Sequence, residues 1–314
     1  MRVQLLGRSR RRSAAACAAV ALFGCACSTA SSVKSSDTRG AVVAVGAENE
    51  YANVIAQIGG KYVEVTAILS NPNTDPHSFE ASPSVASLVS SARLIVQNGA
   101  GYDTFMNTIE AASPNSNRKV VDVQKLLGLR ASTSNPHLWY SPRTMPAVAK
   151  VIASDLSALD AGHAAYFADK LADFDRSLDP WRKALSQFKA SHPRTPVATT
   201  EPVADYMLQA AGADNRTPFT FQADIMNGVD PAPENITFEE SLLTGRKVKV
   251  FLYNEQVTDS ITESLLGLAK KHGIPVVGVY ETMPTPGYDY QTWMLAEVRA
   301  LDRAVSDKIS TERL

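Results

Sequence analysis

The sequence predicts an α/β protein built as two parallel-sheet lobes joined by a long, rigid helix. Three observations carry that prediction. Apolar, β-branched runs alternate with stretches of helical spacing, in two separate series. The runs are uniformly apolar rather than alternating, as expected of strands covered on both faces of a parallel sheet. A long tract of helical periodicity lies between the two series. With 314 residues, 45% of them hydrophobic, the chain has material for two packed domains.

The first 24 residues stand apart. Arg2, Arg8, Arg10, Arg11 and Arg12 precede a small, apolar run from Ser13 to Gly24. This is the charge pattern and length of a secretory signal, too short for a membrane span. The segment holds five arginines and no acid, so the formal charge of −1 for the chain becomes −6 for the remainder. An acidic mature chain gives no support to nucleic-acid binding. The three cysteines are Cys17, Cys25 and Cys27, so any later metal site must use nitrogen and oxygen ligands. Leu22-Phe23-Gly24-Cys25 resembles a bacterial lipobox, with Cys25 as the acylated residue. Phe23 is bulky for that position, which leaves Cys27 as the alternative, and a plain signal peptide cut near Ala26 is the simpler reading. A Ser/Thr-rich stretch from Ser28 to Gly40 reads as a flexible tether.

In the first series, Ala41 to Val45 reads as a strand and Glu48 to Ile58 as a helix with Tyr51, Val54, Ile55 and Ile58 on one face. Val63 to Leu69 is a strand, Ser84 to Ser91 a helix, Leu94 to Val96 a strand, Tyr102 to Glu110 a helix and Lys119 to Val123 a strand. The tract holds a helix from Pro142 to Leu159 and a second from Ala164 to Phe188, kinked at Pro180. In the second series Pro196 to Thr199 is a strand and Pro202 to Ala211 a helix. Val248 to Tyr253, Pro275 to Tyr280 and a helix between them (Val257 to Lys271) follow, with a terminal helix from about Tyr290. The expected division is a signal segment (1–24), a lipidated cysteine and tether (25–40), an N-terminal lobe (41–162), a linker helix (163–190) and a C-terminal lobe (191–314). A helical linker resists wide hinge closure.

Candidate functional residues follow from strand ends, because sites in such sheets form in the crevice at the carboxyl ends of the strands. Two boxes place a histidine directly after a proline: Asp75-Pro76-His77-Ser78-Phe79-Glu80 and Asn135-Pro136-His137-Leu138-Trp139-Tyr140. Proline fixes its own φ and pushes its predecessor to extended geometry, so both imidazoles sit on stiff loops. Glu201 follows the Pro196 strand and Glu281 follows the Pro275 strand. Two ligands thus come from each half, and two imidazoles with two carboxylates can enclose a divalent ion in the cleft between the lobes. Glu201 also reads as a helix-start carboxylate favoured by the dipole, with Pro202 at the first helical position, and Glu281 as a solvated loop residue. Glu255, in Tyr253-Asn254-Glu255-Gln256, is the rival for the fourth place. Asp75 and Glu80 read as supporting groups, and His163, His192 and His272 as exposed.

These boxes give the chain a family resemblance. It resembles the zinc- and manganese-binding lipoproteins of bacterial ABC importers, whose DPH-x-[YF]-E box is matched by Asp75 to Glu80. Their DPH-x-W box is matched by Asn135 to Trp139, with Asn in place of Asp. The resemblance implies two α/β lobes bridged by a long helix, metal between them, and no catalysis. Thr200-Glu201-Pro202-Val203-Ala204-Asp205-Tyr206 resembles the Glu-bearing segment of manganese members, and Glu281 stands where the family usually has Asp. The implied function is extracytoplasmic capture of Mn²⁺ or Zn²⁺ as cargo and delivery to an ABC permease, by a monomer lipid-anchored at the outer face of the cytoplasmic membrane or periplasmic. Two carboxylates suit the harder Mn²⁺, while the general affinity order favours Zn²⁺. Ligating imidazoles must be neutral, so affinity should fall below about pH 6.5. The alternatives are a surface adhesin with the same metal-binding fold and a metallohydrolase. For the latter neither H-E-x-x-H nor a Gly-x-Ser-x-Gly elbow is found.

Overall fold

In the computed structural model, residues 40–314 are described except Thr74, Asp75, His77 and Ser78. The signal segment, Cys25, Cys27 and the tether up to residue 39 lie outside the described residues.

The first lobe begins with β1 (Val42–Glu48), which turns directly into α1 (Asn49–Gly59). Then come β2 (Val63–Leu69), α2 (Pro83–Ser91), β3 (Leu94–Gln97), α3 (Thr104–Ala112), β4 (Lys119–Asp122) and α4 (Val123–Leu126). The sheet order is β2-β1-β3-β4, all parallel, with Val42 opposite Val63 and Ala44 opposite Leu94. β1 and β3, which hold the centre, are the uniformly apolar runs; β2, at one edge, alternates half-buried and exposed residues.

Three helices follow: α5 (Thr144–Leu159), α6 (Ala164–Ser177) and α7 (Asp179–Ser191). The single kinked helix expected of the linker is two helices meeting at Leu178. Pro180 sits in the first turn of α7, where its missing N–H costs nothing. α6 packs on α5 and α1, and α7 on the terminal helix.

The second lobe contains β5 (Pro196–Thr199), α8 (Asp205–Ala210), β6 (Asp214–Asn215), α9 (Phe219–Met226), α10 (Pro233–Thr244), β7 (Val250–Asn254), α11 (Ser260–Lys271), β8 (Val276–Val279) and α12 (Tyr290–Ser306). Its sheet order is β6-β5-β7-β8, again parallel throughout. Pro202 does not open a helix: residues 200–204 form a turn and α8 starts at Asp205. Asp259 and Asp289 cap α11 and α12 through reciprocal bonds with Thr262 and Thr292. The C-terminal tail lies along β8, where Thr311 pairs with Val277 and its carbonyl accepts from the Gly278 N–H at 2.9 Å. Any Cβ at Gly278 would run into the carbonyl of Glu312.

The lobes share a core. One buried cluster runs from Val42 and Leu94 through Trp139, Phe174 and Trp181 to Val250, Trp293 and Leu301. Polar staples cross the same boundary. Asn49 and the Met283 backbone exchange two hydrogen bonds, each 2.9 Å, and Tyr290 donates to the Trp139 carbonyl at 2.6 Å. Among the described residues no helix is long and apolar enough to cross a membrane.

Candidate metal-binding site

His137 is held by the shape of its own backbone. At φ −76° and ψ 57° it is the centre of an inverse γ-turn, closed by the Leu138 N–H to the Pro136 carbonyl at 2.7 Å. That carbonyl also accepts from Asn98 Nδ2 at 2.8 Å, and Asn98 in turn accepts from Tyr51 at 2.7 Å. Asn135 Oδ1 takes both the backbone N–H of His137 (3.0 Å) and its ring Nδ1 (2.9 Å). Nδ1 therefore carries a hydrogen, and Nε2 is turned toward Glu281. The rings of Trp139 and Tyr102 meet the imidazole edge-on, at centroid distances of 5.4 and 5.9 Å. The side chain of His137 is fully buried.

The two carboxylates arrive on loops that leave β5 and β8. Glu201 and Glu281 are 2% and 0% exposed. Asn254, the last residue of β7, stands between them and donates from Nδ2 to Glu201 Oε1 at 2.9 Å and to Glu281 Oε1 at 2.8 Å. The backbone N–H of Asn254 is held by Thr200 at 3.0 Å, and its Oδ1 accepts from the Gln256 N–H at 3.0 Å. Gln256 Oε1 then takes the N–H of Glu281 (2.7 Å) and of Thr282 (2.8 Å), which pins the loop bearing Glu281. The other oxygen of Glu281 faces the opposite lobe, 3.2 Å from His137 Nε2 and 3.0 Å from the hydroxyl of Tyr102, which donates to it.

Tyr102 reaches this position because Gly99, Ala100 and Gly101 all have positive φ (73°, 53° and 84°), a turn that glycine makes without strain. A side chain at Gly99 would also press on Asp122 and Gln124. Asp103 closes the loop by accepting from the N–H of Asn98 (2.6 Å) and of Gly99 (2.9 Å).

Behind this constellation lies further buried acid. Glu48 and Glu50 are 1% and 0% exposed, and their own backbone N–H groups are the opposing influence on their carboxyls. Burial pushes both carboxyls well above the ordinary range; Asp103 and Glu50 add to the effect on Glu48, and Glu281 to that on Glu50. Asp103 itself is raised by burial to about 6. Burial and then the Glu281 carboxylate raise the Tyr102 hydroxyl, so it stays a donor. The surroundings therefore favour a cation at the strand ends.

Of the expected ligands, His137, Glu201 and Glu281 come together, and His77 lies outside the described residues. Its neighbours are described: Phe79 donates its N–H to the Pro76 carbonyl at 3.2 Å and packs on Phe105, ring centroids 4.8 Å apart. Among the described residues no three His, Cys, Asp or Glu side chains form a metal-holding group by themselves; the two carboxylates meet through an amide. Glu255 turns away and pairs with Arg313 at 3.3 Å. Glu80 is exposed. His163, His192 and His272, expected to be exposed, are half-buried at helix ends. His163 pairs with Asp160 at 2.7 Å and stacks on Tyr62 at 3.7 Å, and His192 lies 3.2 Å from Asp302.

Sequence reasoning missed Asn254, Tyr102, Glu48 and Glu50. The one available signal was position: Asn254 and Glu48 end buried strands. An Asn254→Leu variant should lower affinity for a divalent metal about 10- to 100-fold by leaving two buried carboxylates without their shared donor. Isothermal titration checks this, and an unchanged affinity would show the bridge to be idle.

Comparison with known proteins fits this arrangement. Residues 45–304 match the family model described as ZnuA, zinc-uptake complex component A, periplasmic. The chain is 26% identical over 259 residues to the manganese ABC transporter substrate-binding lipoprotein PsaA of Streptococcus pneumoniae, covering 77% of this chain and 80% of that protein. A crystal structure of ZnuA is similar with a TM-score of 0.70 at 22% identity, covering 85% of this chain and 100% of the other. The periplasmic zinc-binding protein TroA of Treponema pallidum is similar with a TM-score of 0.72 at 18% identity, covering 86% and 100%. At these identities the structural likeness speaks for the fold.

Proposed function

We propose a function on one premise, that this chain belongs to the ZnuA family of periplasmic zinc-uptake components. The protein captures a divalent transition metal, Mn²⁺ or Zn²⁺, outside the cytoplasm and delivers it to an ABC permease. The ion is cargo, and no reaction is assigned. His77, His137, Glu201 and Glu281 hold it, drawn from an N-terminal lobe (41–162) and a C-terminal lobe (191–314) that are separated by the linker (163–190). Cys25, after a signal segment, anchors a monomer to the membrane through lipid.

One observation carries the reading. An imidazole and two buried carboxylates meet at strand ends, tied by Tyr102 and Asn254, in a pocket further loaded with acid by Glu48 and Glu50. Like charges buried this close cost several kcal/mol each unless protons or a cation neutralise them. A divalent ion supplies that neutralisation and gains hard oxygen ligands, which favours Mn²⁺ relative to an all-histidine site. The relative PsaA is a manganese ABC transporter substrate-binding lipoprotein.

The test is elemental analysis of protein purified without chelator, followed by competition between Mn²⁺ and Zn²⁺. The expected result is about one ion per chain that strong chelators remove, with a melting temperature that rises on reloading. A metal-free protein that neither ion stabilises would overturn the proposal.

A further inference from the structure

Asn135 occupies the position where the family's second histidine box has an aspartate, and its amide is used at both ends. Oδ1 accepts from the backbone N–H and the ring Nδ1 of His137, at 3.0 and 2.9 Å. Nδ2 donates to the carbonyl of Pro202 at 2.7 Å, on the opposite lobe and directly after Glu201. The main-chain carbonyl of Asn135 accepts from the hydroxyl of Tyr206, in α8 of that same lobe, at 3.0 Å. A backbone N–H can only donate and a proline carbonyl can only accept, so both ends fix which way the amide points. An aspartate could orient His137 equally well, but it would set a carboxylate oxygen against the Pro202 carbonyl.

We infer that Asn135 is a positioning residue that joins His137 to Glu201 across the lobes and thereby sets how long the captured ion stays bound. The inference rests on the metal-capture reading above. His137, Glu201 and Glu281 are each 2% exposed or less, so an ion among them leaves only when the elements carrying them part. The Asn135–Pro202 bond ties the loop carrying His137 to the loop carrying Glu201, and Asn135 is itself 9% exposed. A buried donor or acceptor left without its partner costs about 1–3 kcal/mol, which corresponds to about 5- to 150-fold in a rate or equilibrium constant. Because the bond exists only while the lobes are together, its loss appears in release and leaves capture largely alone.

The test is stopped-flow release of Mn²⁺ and of Zn²⁺ into excess chelator, with association measured separately, for the parent, Asn135→Asp and Tyr206→Phe. Asn135→Asp is expected to release the ion about 10-fold faster or more, with association within about twofold of the parent. Tyr206→Phe removes the neighbouring bond and gives a smaller acceleration in the same direction. A merely structural asparagine would lower the melting temperature of the metal-free protein without separating the two rates. If Asn135→Asp does not fold, Tyr206→Phe decides alone: faster release supports the strap and parental release refutes it. Release from a folded Asn135→Asp within twofold of the parent overturns the inference while the metal-capture reading stands. A parent that binds neither ion removes that reading and the inference with it.

Discussion

Replacing Glu281 with alanine is expected to lower affinity for Mn²⁺ and Zn²⁺ by at least about 100-fold, more than a supporting residue would cost. The reason is its position in contact with both lobes at the candidate site. It meets His137 and Tyr102 through Oε2 and Asn254 through Oε1, with its own N–H held by Gln256. The same change should leave the metal-free protein at least as stable as the parent. It removes a fully buried carboxylate that raises the proton affinity of Glu50 and Tyr102. Titration calorimetry and thermal melts with and without metal read the two effects separately. A variant that keeps parental affinity would remove Glu281 from the site. One that loses affinity only in proportion to a lost fold would make its role structural.

Glu297→Gln is expected to stabilise the protein, and the gain should depend on pH. Glu297 is fully buried in α12, where Oε1 accepts from Trp293 Nε1 at 3.0 Å and from the Tyr140 hydroxyl at 3.3 Å. Burial raises its carboxyl to about 8, although both hydrogen bonds oppose the shift. A carboxyl whose pKa is higher folded than unfolded favours the folded state only while protonated. The penalty is absent below about pH 4, builds above the unfolded value and levels off above the folded one. At pH 7 it amounts to about 3 kcal/mol by linkage. Glutamine keeps the acceptor oxygen and avoids the penalty. Its melting temperature should exceed that of the parent by about 5–10 °C at pH 7 and converge with it near pH 4. A difference that stays constant between pH 4 and pH 8 would refute this.

The sequence made the skeleton legible where burial is two-sided. β3 lies at Leu94–Gln97 and β5 at Pro196–Thr199, as their apolar runs imply. The two-residue β6 and the helices α9 and α10 went unread, because two residues carry no periodicity and α10 mixes charged and apolar residues around its axis. Pro202 misled, since a proline three residues after a strand suits a helix start as well as the turn that it occupies. The proline-histidine box foretold the stiff turn at His137, and strand-end placement drew attention to Glu201 and Glu281, which lie buried on either side of Asn254. Neutral partners were invisible: nothing local separates Asn254, which faces the site, from Glu255, which pairs with Arg313 on the other side of the chain. The substitution at Asn135 was visible as a departure, but its meaning needed Pro202 in view.

The most direct measurement is a crystal structure of metal-loaded protein with anomalous scattering recorded at the manganese and zinc edges. One peak is expected between the lobes, within about 2.0–2.3 Å of Nε2 of His137 and of a carboxylate oxygen from each of Glu201 and Glu281, with His77 completing the shell. A peak elsewhere, or none between the lobes in protein shown to carry metal, would contradict the account.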